Sequence, residues 1–205
     1  MDNKISFIYF DVGGVLMKDF SATNKWEELI KSWGVKGSKI DEVKKRFKEF
    51  EKEACVGRDT EDFSLILSNE FGVNLPKKYS ILRNFVGRFE RNEGIWKIVD
   101  DCRKKYRLGL LTNAYPGMFK LTKESGLLPR GDFLVIDSSV VKQGKPNEGI
   151  YKTAQERCGV EAKKILFIDN GEKNLEVPKK LGWKTFWYDS ADYEQSSAEL
   201  KKFLG

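Results

Sequence analysis

Five short apolar runs, Ile5 to Phe10, Arg107 to Leu111, Phe133 to Ile136, Ile165 to Ile168 and Lys184 to Tyr188, each give way to a loop and then to a helix-like pattern. That alternation narrows the fold to a parallel α/β sheet, because parallel strands need crossover connections that helices supply. Runs such as Ile165-Leu166-Phe167-Ile168 lack the polar alternation of a half-exposed strand. Helices should therefore cover both faces of the sheet.

The spacing of the runs is unequal. The stretch between the first and second is too long for one crossover and reads as several amphipathic helices. Val43, Phe47, Phe50 and Ala54 form one stripe, and Phe63, Ile66, Leu67 and Phe71 another, opened by Thr60 as N-cap and closed by Gly72. A third helix is expected to start at Pro76, with Ile81, Leu82, Phe85 and Phe89 on its apolar face. An all-helical insertion is thus placed at residues 18–90, and the α/β core at 1–17 and 91–205. Trp26, Trp33, Phe47 and Phe50 are expected to form the insertion's own core, and Trp183, Phe186, Trp187 and Tyr188 a strand packed under helices. Later, Ile150, Ala154 and Cys158 mark a helix stopped by Gly159, and Pro178 predicts a short or kinked helix around 174–181.

Composition removes whole classes of chemistry. There is no histidine among the 205 residues, so Ser-His-Asp and Cys-His catalysis, His-ligated zinc and an imidazole base are all excluded. Cys55, Cys102 and Cys158 are scattered and odd in number, which encodes no disulfide framework or cysteine zinc site. The 37 Lys+Arg against 31 Asp+Glu give a net charge of +6, but the basic residues interleave with acids, as from Glu42 to Glu53. Helix-face ion pairing accounts for that pattern better than nucleic-acid binding, and the positive field suits small anionic substrates. No apolar run approaches the roughly 18 residues of a bilayer span. Met1-Asp2-Asn3-Lys4 opens no signal-peptide pattern, so no membrane partner and a cytoplasmic location are expected. A monomer or a homodimer is compatible with the sequence.

In open α/β sheets ligands bind at the carboxyl ends of the strands. Asp11 follows the first run, Thr112-Asn113 the second and Asp169-Asn170 the fourth, while Lys145 lies in the loop after the third. Any one of these could be a helix cap; all four together point to a site. In this order they resemble the haloacid dehalogenase-like (HAD) hydrolase superfamily. Phe10-Asp11-Val12-Gly13-Gly14-Val15-Leu16 is similar to its first motif and Leu110-Leu111-Thr112-Asn113-Ala114 to its second. Gly144-Lys145-Pro146-Asn147-Glu148-Gly149-Ile150-Tyr151 is similar to its third, and Phe167-Ile168-Asp169-Asn170-Gly171-Glu172-Lys173-Asn174 to its fourth.

The resemblance implies a Rossmann-like parallel five-stranded sheet sandwiched by helices, with a helical cap of the C1 kind where the insertion lies. It implies a Mg2+-dependent phosphatase acting on a small phosphorylated metabolite. Asp11 would be the nucleophile that becomes an aspartyl-phosphate. Mg2+ would be held by Asp11, the carbonyl of Gly13 and Asp169, with Asn170 a lesser candidate. Thr112 and Lys145 would bind phosphoryl oxygens and developing charge, and Gly13, Gly14 and Asn113 would line the anion's place.

Two departures qualify that picture. The family's second aspartate, the general acid two residues after the nucleophile, is Gly13 here, and the fourth motif carries Asn170 and Asn174 where many members have further acids. A lost general acid costs about 10²–10⁴ in rate unless the leaving group departs unaided. A weakly catalytic or inactive binding protein and a metal-free 2-haloacid dehalogenase are the competing readings. Lys18, Asp19 and Phe20 are read as substrate contacts or a hinge, and Arg58, Arg83 and Arg88 as candidates for the leaving-group pocket.

Overall fold

Residues 4–205 are described by the computed structural model, so the Met1-Asp2-Asn3 opening read above for the lack of a signal pattern lies outside them. In chain order, β1 (Phe7–Phe10) is followed by the short β2 (Met17–Lys18) and the helices α1 (Lys25–Ser32), α2 (Ile40–Ala54), α3 (Phe63–Phe71) and α4 (Ile81–Val86). The strand β3 (Glu90–Arg91) then returns antiparallel to β2, tying the two ends of the helical segment together. Next come α5 (Glu93–Arg103), β4 (Arg107–Thr112), α6 (Met118–Glu124), β5 (Leu134–Asp137), α7 (Ser138–Val141) and α8 (Glu148–Cys158). The chain closes with β6 (Ile165–Asp169), α9 (Glu172–Lys180), β7 (Lys184–Trp187) and α10 (Tyr193–Leu204).

The five long strands form one parallel sheet in the order β5-β4-β1-β6-β7, with β1 at its centre. The chain winds outward from β1 through β4 to β5, then crosses to β6 and β7, so a topological switch lies beside β1. Side chains alternate between two cores. Ile8, Phe10, Leu110, Leu166 and Ile168 belong to one, while Phe7, Tyr9, Leu111, Ile165 and Phe167 belong to the other, beside residues of α8 and α9. Both faces are covered, which is why the runs carry no polar alternation. β4, β5 and β6 each extend one residue beyond the expected run, to Thr112, Asp137 and Asp169, so these polar side chains sit on the last rungs of a rigid ladder.

In the helical segment, Val43, Phe47, Phe50 and Ala54 are buried as expected, and Gly72 ends α3 in the left-handed region at φ 69°. Two helix starts differ from expectation. Asp59 rather than Thr60 caps the turn before α3, its carboxylate accepting from Glu61 N, and Thr60 is buried. α4 begins at Ile81 behind a Ser80 cap, while Pro76 starts an isolated turn closed by Tyr79 N to Pro76 O at 2.8 Å. Ser80 can accept from Arg83 N and Pro76 offers no side-chain acceptor, so the cap decides the boundary. α9 runs through Pro178, and Asn174 O, the carbonyl its missing N–H would have served, accepts from Tyr151 Oη at 2.8 Å.

Trp33, Phe47, Phe50, Phe63 and Phe85 form a continuous aromatic cluster, with Phe47 and Phe63 edge to face at 4.8 Å. Trp183 stacks on Tyr9 at 5.8 Å beneath the helices, but Trp187 is 48% exposed, because β7 is the sheet's edge strand. Among the described residues no helix is long and apolar enough to cross a membrane.

Candidate active site

The ladder sets the geometry at the strand ends. Asp11 N donates to Ile168 O at 2.8 Å, and the Phe10–Ile168 register brings Asp11 level with Asp169 on the neighbouring strand. Lys145, in the loop between α7 and α8, reaches across to both, with Nζ 2.9 Å from Asp11 Oδ1 and 2.6 Å from Asp169 Oδ2. Asp169 is completely enclosed, its Oδ1 accepting from Gly171 N at 2.7 Å and Asn174 Nδ2 at 3.0 Å. Asp11 differs. Val12 N and Lys145 both bond its Oδ1, while Oδ2 takes no bond from a described residue and is not a buried orphan. One oxygen is fixed and the other is open to an incoming electrophile.

Two enclosed carboxylates share one ammonium, which leaves a buried excess of negative charge. Burial pushes the Asp11 carboxyl up to about 7, Lys145 opposes the rise and Asp169 adds to it. Burial alone would lower Lys145, but its two carboxylate partners outweigh it and hold the ammonium above its ordinary range. A divalent cation beside Asp11 would relieve the excess. The paired carboxylates of Asp11 and Asp169 are hard oxygen donors of the kind Mg2+ takes, commonly one or two with several waters kept. Among the described residues no third acidic, thiol or imidazole side chain joins such a group.

Asn113 holds Lys145 by both ends of its carboxamide: Lys145 N donates to Asn113 Oδ1 at 2.7 Å, and Asn113 Nδ2 donates to Lys145 O at 3.0 Å. Thr112 is buried at the end of β4 and lines the same cavity as Asn113 and Lys145. Gly13 lines it too. A Cβ added there meets nothing within 4 Å, so the place of the missing acid is open space.

Two expected site residues are used otherwise. Gly14 N donates to Met17 O at 2.8 Å and is not free for an anion; with φ +79°, Gly14 gives room to Asn170, which a Cβ would strike. Asn170 Nδ2 turns to Asp19 Oδ2 at 3.3 Å and Ser190 Oγ at 3.2 Å, tying the β2 connection to the sheet rather than joining Asp11 and Asp169. Asp169 already has Asn174 as its amide partner, a role its helical position hid in the sequence. Asp19 lines the cavity and its N–H donates to Tyr193 Oη at 3.1 Å, whereas Phe20 packs among the aromatic rings.

The cavity, about 680 Å3, lies between the strand ends and the helical segment. Its upper wall is Lys48, Glu51, Lys52 and Cys55 along one side of α2 and its C-terminus, with Phe85 and Phe89. None of the three arginines proposed for it lines it. Arg58 pairs with Glu53 and Asp62, Arg88 faces Glu28, and Arg83 lies on another depression. Part of the charged run of α2 is therefore cavity wall rather than solvated face, a placement signalled by Glu51 standing four residues after Phe47 on the apolar stripe. Cys55 is no nucleophile, since burial, with Glu51 adding, pushes its thiol up to about 12. Tyr115, on the loop after β4, packs its ring 5.4 Å from Phe85 and donates its hydroxyl to Glu51.

A sequence model of haloacid dehalogenase-like hydrolases matches residues 5–182 of the chain. No curated protein matches it. Among solved structures, a predicted HAD-like family hydrolase from Porphyromonas gingivalis is 25% identical, with TM-score 0.74 over 98% of each chain. A HAD family enzyme from Bacteroides thetaiotaomicron, in complex with magnesium and inorganic phosphate, is 21% identical, with TM-score 0.73 over 92% of this chain and 96% of its own. An L-2-haloacid dehalogenase from Xanthobacter autotrophicus with covalently bound chloropropionic acid is 15% identical, with TM-score 0.64 over 88% and 76% of the two chains.

Proposed function

Because the chain belongs to the haloacid dehalogenase-like hydrolases, we propose that it is a Mg2+-dependent phosphatase of small phosphorylated metabolites, working through an aspartyl-phosphate on Asp11. The observation that carries this reading is the asymmetry of Asp11, with Oδ1 held by Lys145 and Val12 and Oδ2 open. Asp11 Oδ2 attacks phosphorus; water then displaces the carboxylate and frees inorganic phosphate. Thr112 and Lys145, both on the cavity wall, bind phosphoryl oxygens, and the ammonium spreads its charge over the equatorial oxygens as they develop it. Asn113 keeps the Lys145 backbone in place for that contact. Mg2+, held by Asp11, Asp169 and the Gly13 carbonyl, would screen the repulsion between carboxylate and phosphate. The magnesium and phosphate in the B. thetaiotaomicron structure lend support.

Gly13 has no proton to give, so the strand ends by themselves favour esters with good leaving groups, such as sugar 1-phosphates, acyl phosphates and aryl phosphates. The helical segment, residues 18–90, acts as a cap that selects the leaving group. Dehalogenation is the weaker reading, since Asp169 places a second carboxylate where a metal-free displacement has no need of one. A phosphorylated-metabolite screen with magnesium tests the proposal. The expected result is turnover that chelator and Asp11→Asn both abolish. Chloride release from 2-chloropropionate in chelator would favour the dehalogenase instead, and ligand binding without turnover the inactive binding protein.

A further inference from the structure

We propose that Glu51, positioned by Tyr115, is the general acid and base that this site lacks at Gly13, and that it works from the helical wall of the cavity. The inference rests on the phosphatase reading above. Glu51 interrupts the apolar side of α2, one residue after buried Phe50 and four after buried Phe47, where a carboxylate has no structural purpose. It is half-buried and lines the cavity that Gly13, Thr112 and Lys145 line from the other side. Its Oε1 accepts from the Tyr115 hydroxyl, while Oε2 takes no bond from a described residue and is not a buried orphan. Glu51 thus keeps one carboxylate oxygen uncommitted on a side chain that lines the cavity. Tyr115 comes from the same loop as Thr112 and Asn113, so the hydrogen bond fixes Glu51 relative to the phosphate-binding residues rather than to the helices alone.

The neighbourhood suits a proton carrier. Lys48, Lys52 and Cys55 on or beside its own helix, Tyr115 after β4, and Asp19, Lys142 and Lys145 across the cavity are the titratable groups around it. Burial raises the Glu51 carboxyl above its usual range, with Tyr115 and Lys48 opposing, which favours the protonated form an acid must start from. In the first half-reaction Asp11 Oδ2 bonds to phosphorus as the ester P–O bond breaks, and the Glu51 proton passes to the departing oxygen. The products are an alcohol, the aspartyl-phosphate and a Glu51 carboxylate. In the second, that carboxylate takes a proton from water as the water oxygen bonds to phosphorus and the Asp11–phosphorus bond breaks, restoring protonated Glu51.

The test compares glycerol phosphate, a poor leaving group, with p-nitrophenyl phosphate, a good one, on wild type, E51Q and Y115F. E51Q should lose about 10²–10⁴ in kcat/KM on the alkyl ester, the quantity that stops at aspartyl-phosphate formation, while changing kcat/KM on the aryl ester less than about tenfold. Y115F should lower kcat/KM on the alkyl ester more than on the aryl ester and move the alkaline fall of the alkyl-ester profile to higher pH, because the carboxylate loses a hydrogen bond that stabilised and positioned it. Equal losses of kcat/KM on both esters, no loss on either, or an unmoved profile in Y115F overturns the inference. Should thermal melting show E51Q unfolded, the Y115F profile decides alone. Wild type without Asp11-dependent turnover of any ester instead overturns the phosphatase reading, a separate outcome.

Discussion

The two walls of the cavity are built from opposite materials. On the strand ends, position is set by backbone ladders and by an ammonium clamped between two acids, each within 3 Å. On the helical side it is set by interlocking rings, with Phe63 and Phe85 both against Phe47, and by the hydrogen bond from Tyr115 to Glu51 on the cavity wall. Ladders and ion pairs fix atoms to fractions of an ångström, which covalent chemistry demands. Ring packing tolerates volume-conserving exchange of side chains, so it holds the shape of a wall rather than the position of single atoms. Tyr115 joins the two, its loop belonging to the strand ends and its ring to the aromatic cluster.

The contrast can be broken most severely at Asp11. Asp11→Asn should lower phosphatase turnover by on the order of 10⁴ or more, measured by phosphate release, since loss of a nucleophile removes the reaction path. The same change should raise stability without metal. Burial pushes the folded-state carboxyl up to about 7, above its unfolded value, so the native state binds the extra proton and wild-type stability should fall as pH rises between about 4 and 7. Asp11→Asn removes that fall, and its melting temperature should exceed wild type at pH 8 but not below pH 4. Equal melting at both would show that the charge excess is absent.

Moving the acid from one wall to the other is the next largest effect. In an E51Q background, Gly13→Asp meets no steric obstacle and should recover about 10²–10⁴ in alkyl-ester turnover. Phe47→Ala probes the ring-built wall and should cost about 3–5 kcal/mol in urea unfolding. A single cooperative transition is expected because Tyr115 shares the cluster; two transitions would mean that the walls unfold separately. Smallest is Asn113→Ala, which removes both bonds to the Lys145 backbone and should cost about 1–2 kcal/mol. Turnover should fall with it while the melt remains cooperative.

The same contrast governs what could be read from sequence. Asp11, Thr112 and Asp169 were legible because each ends an uninterrupted apolar run, and a buried parallel strand announces its own end. Lys145 was legible through its motif. What sequence does not say is which N–H groups are already consumed: the Gly14 N–H by Met17 O in its own turn, and the Asn170 amide by Asp19 across the fold. Glu51 was hidden inside a run of alternating charges that looks wholly solvated, although Lys48, Glu51 and Lys52 share one side of α2 that faces a cavity. Which of the arginines faces the cavity is equally invisible in sequence, since Arg58 and Arg88 are claimed by the carboxylates of Glu53 and Glu28.

The proline inside α9 has one further consequence. By releasing the Asn174 carbonyl it lets a single residue hold two partners, Tyr151 through its backbone and Asp169 through its carboxamide. Asn174 thus acts as a rivet through two layers, so loosening α8 at Tyr151, far along the sequence from any motif acid, would reach the innermost carboxylate directly.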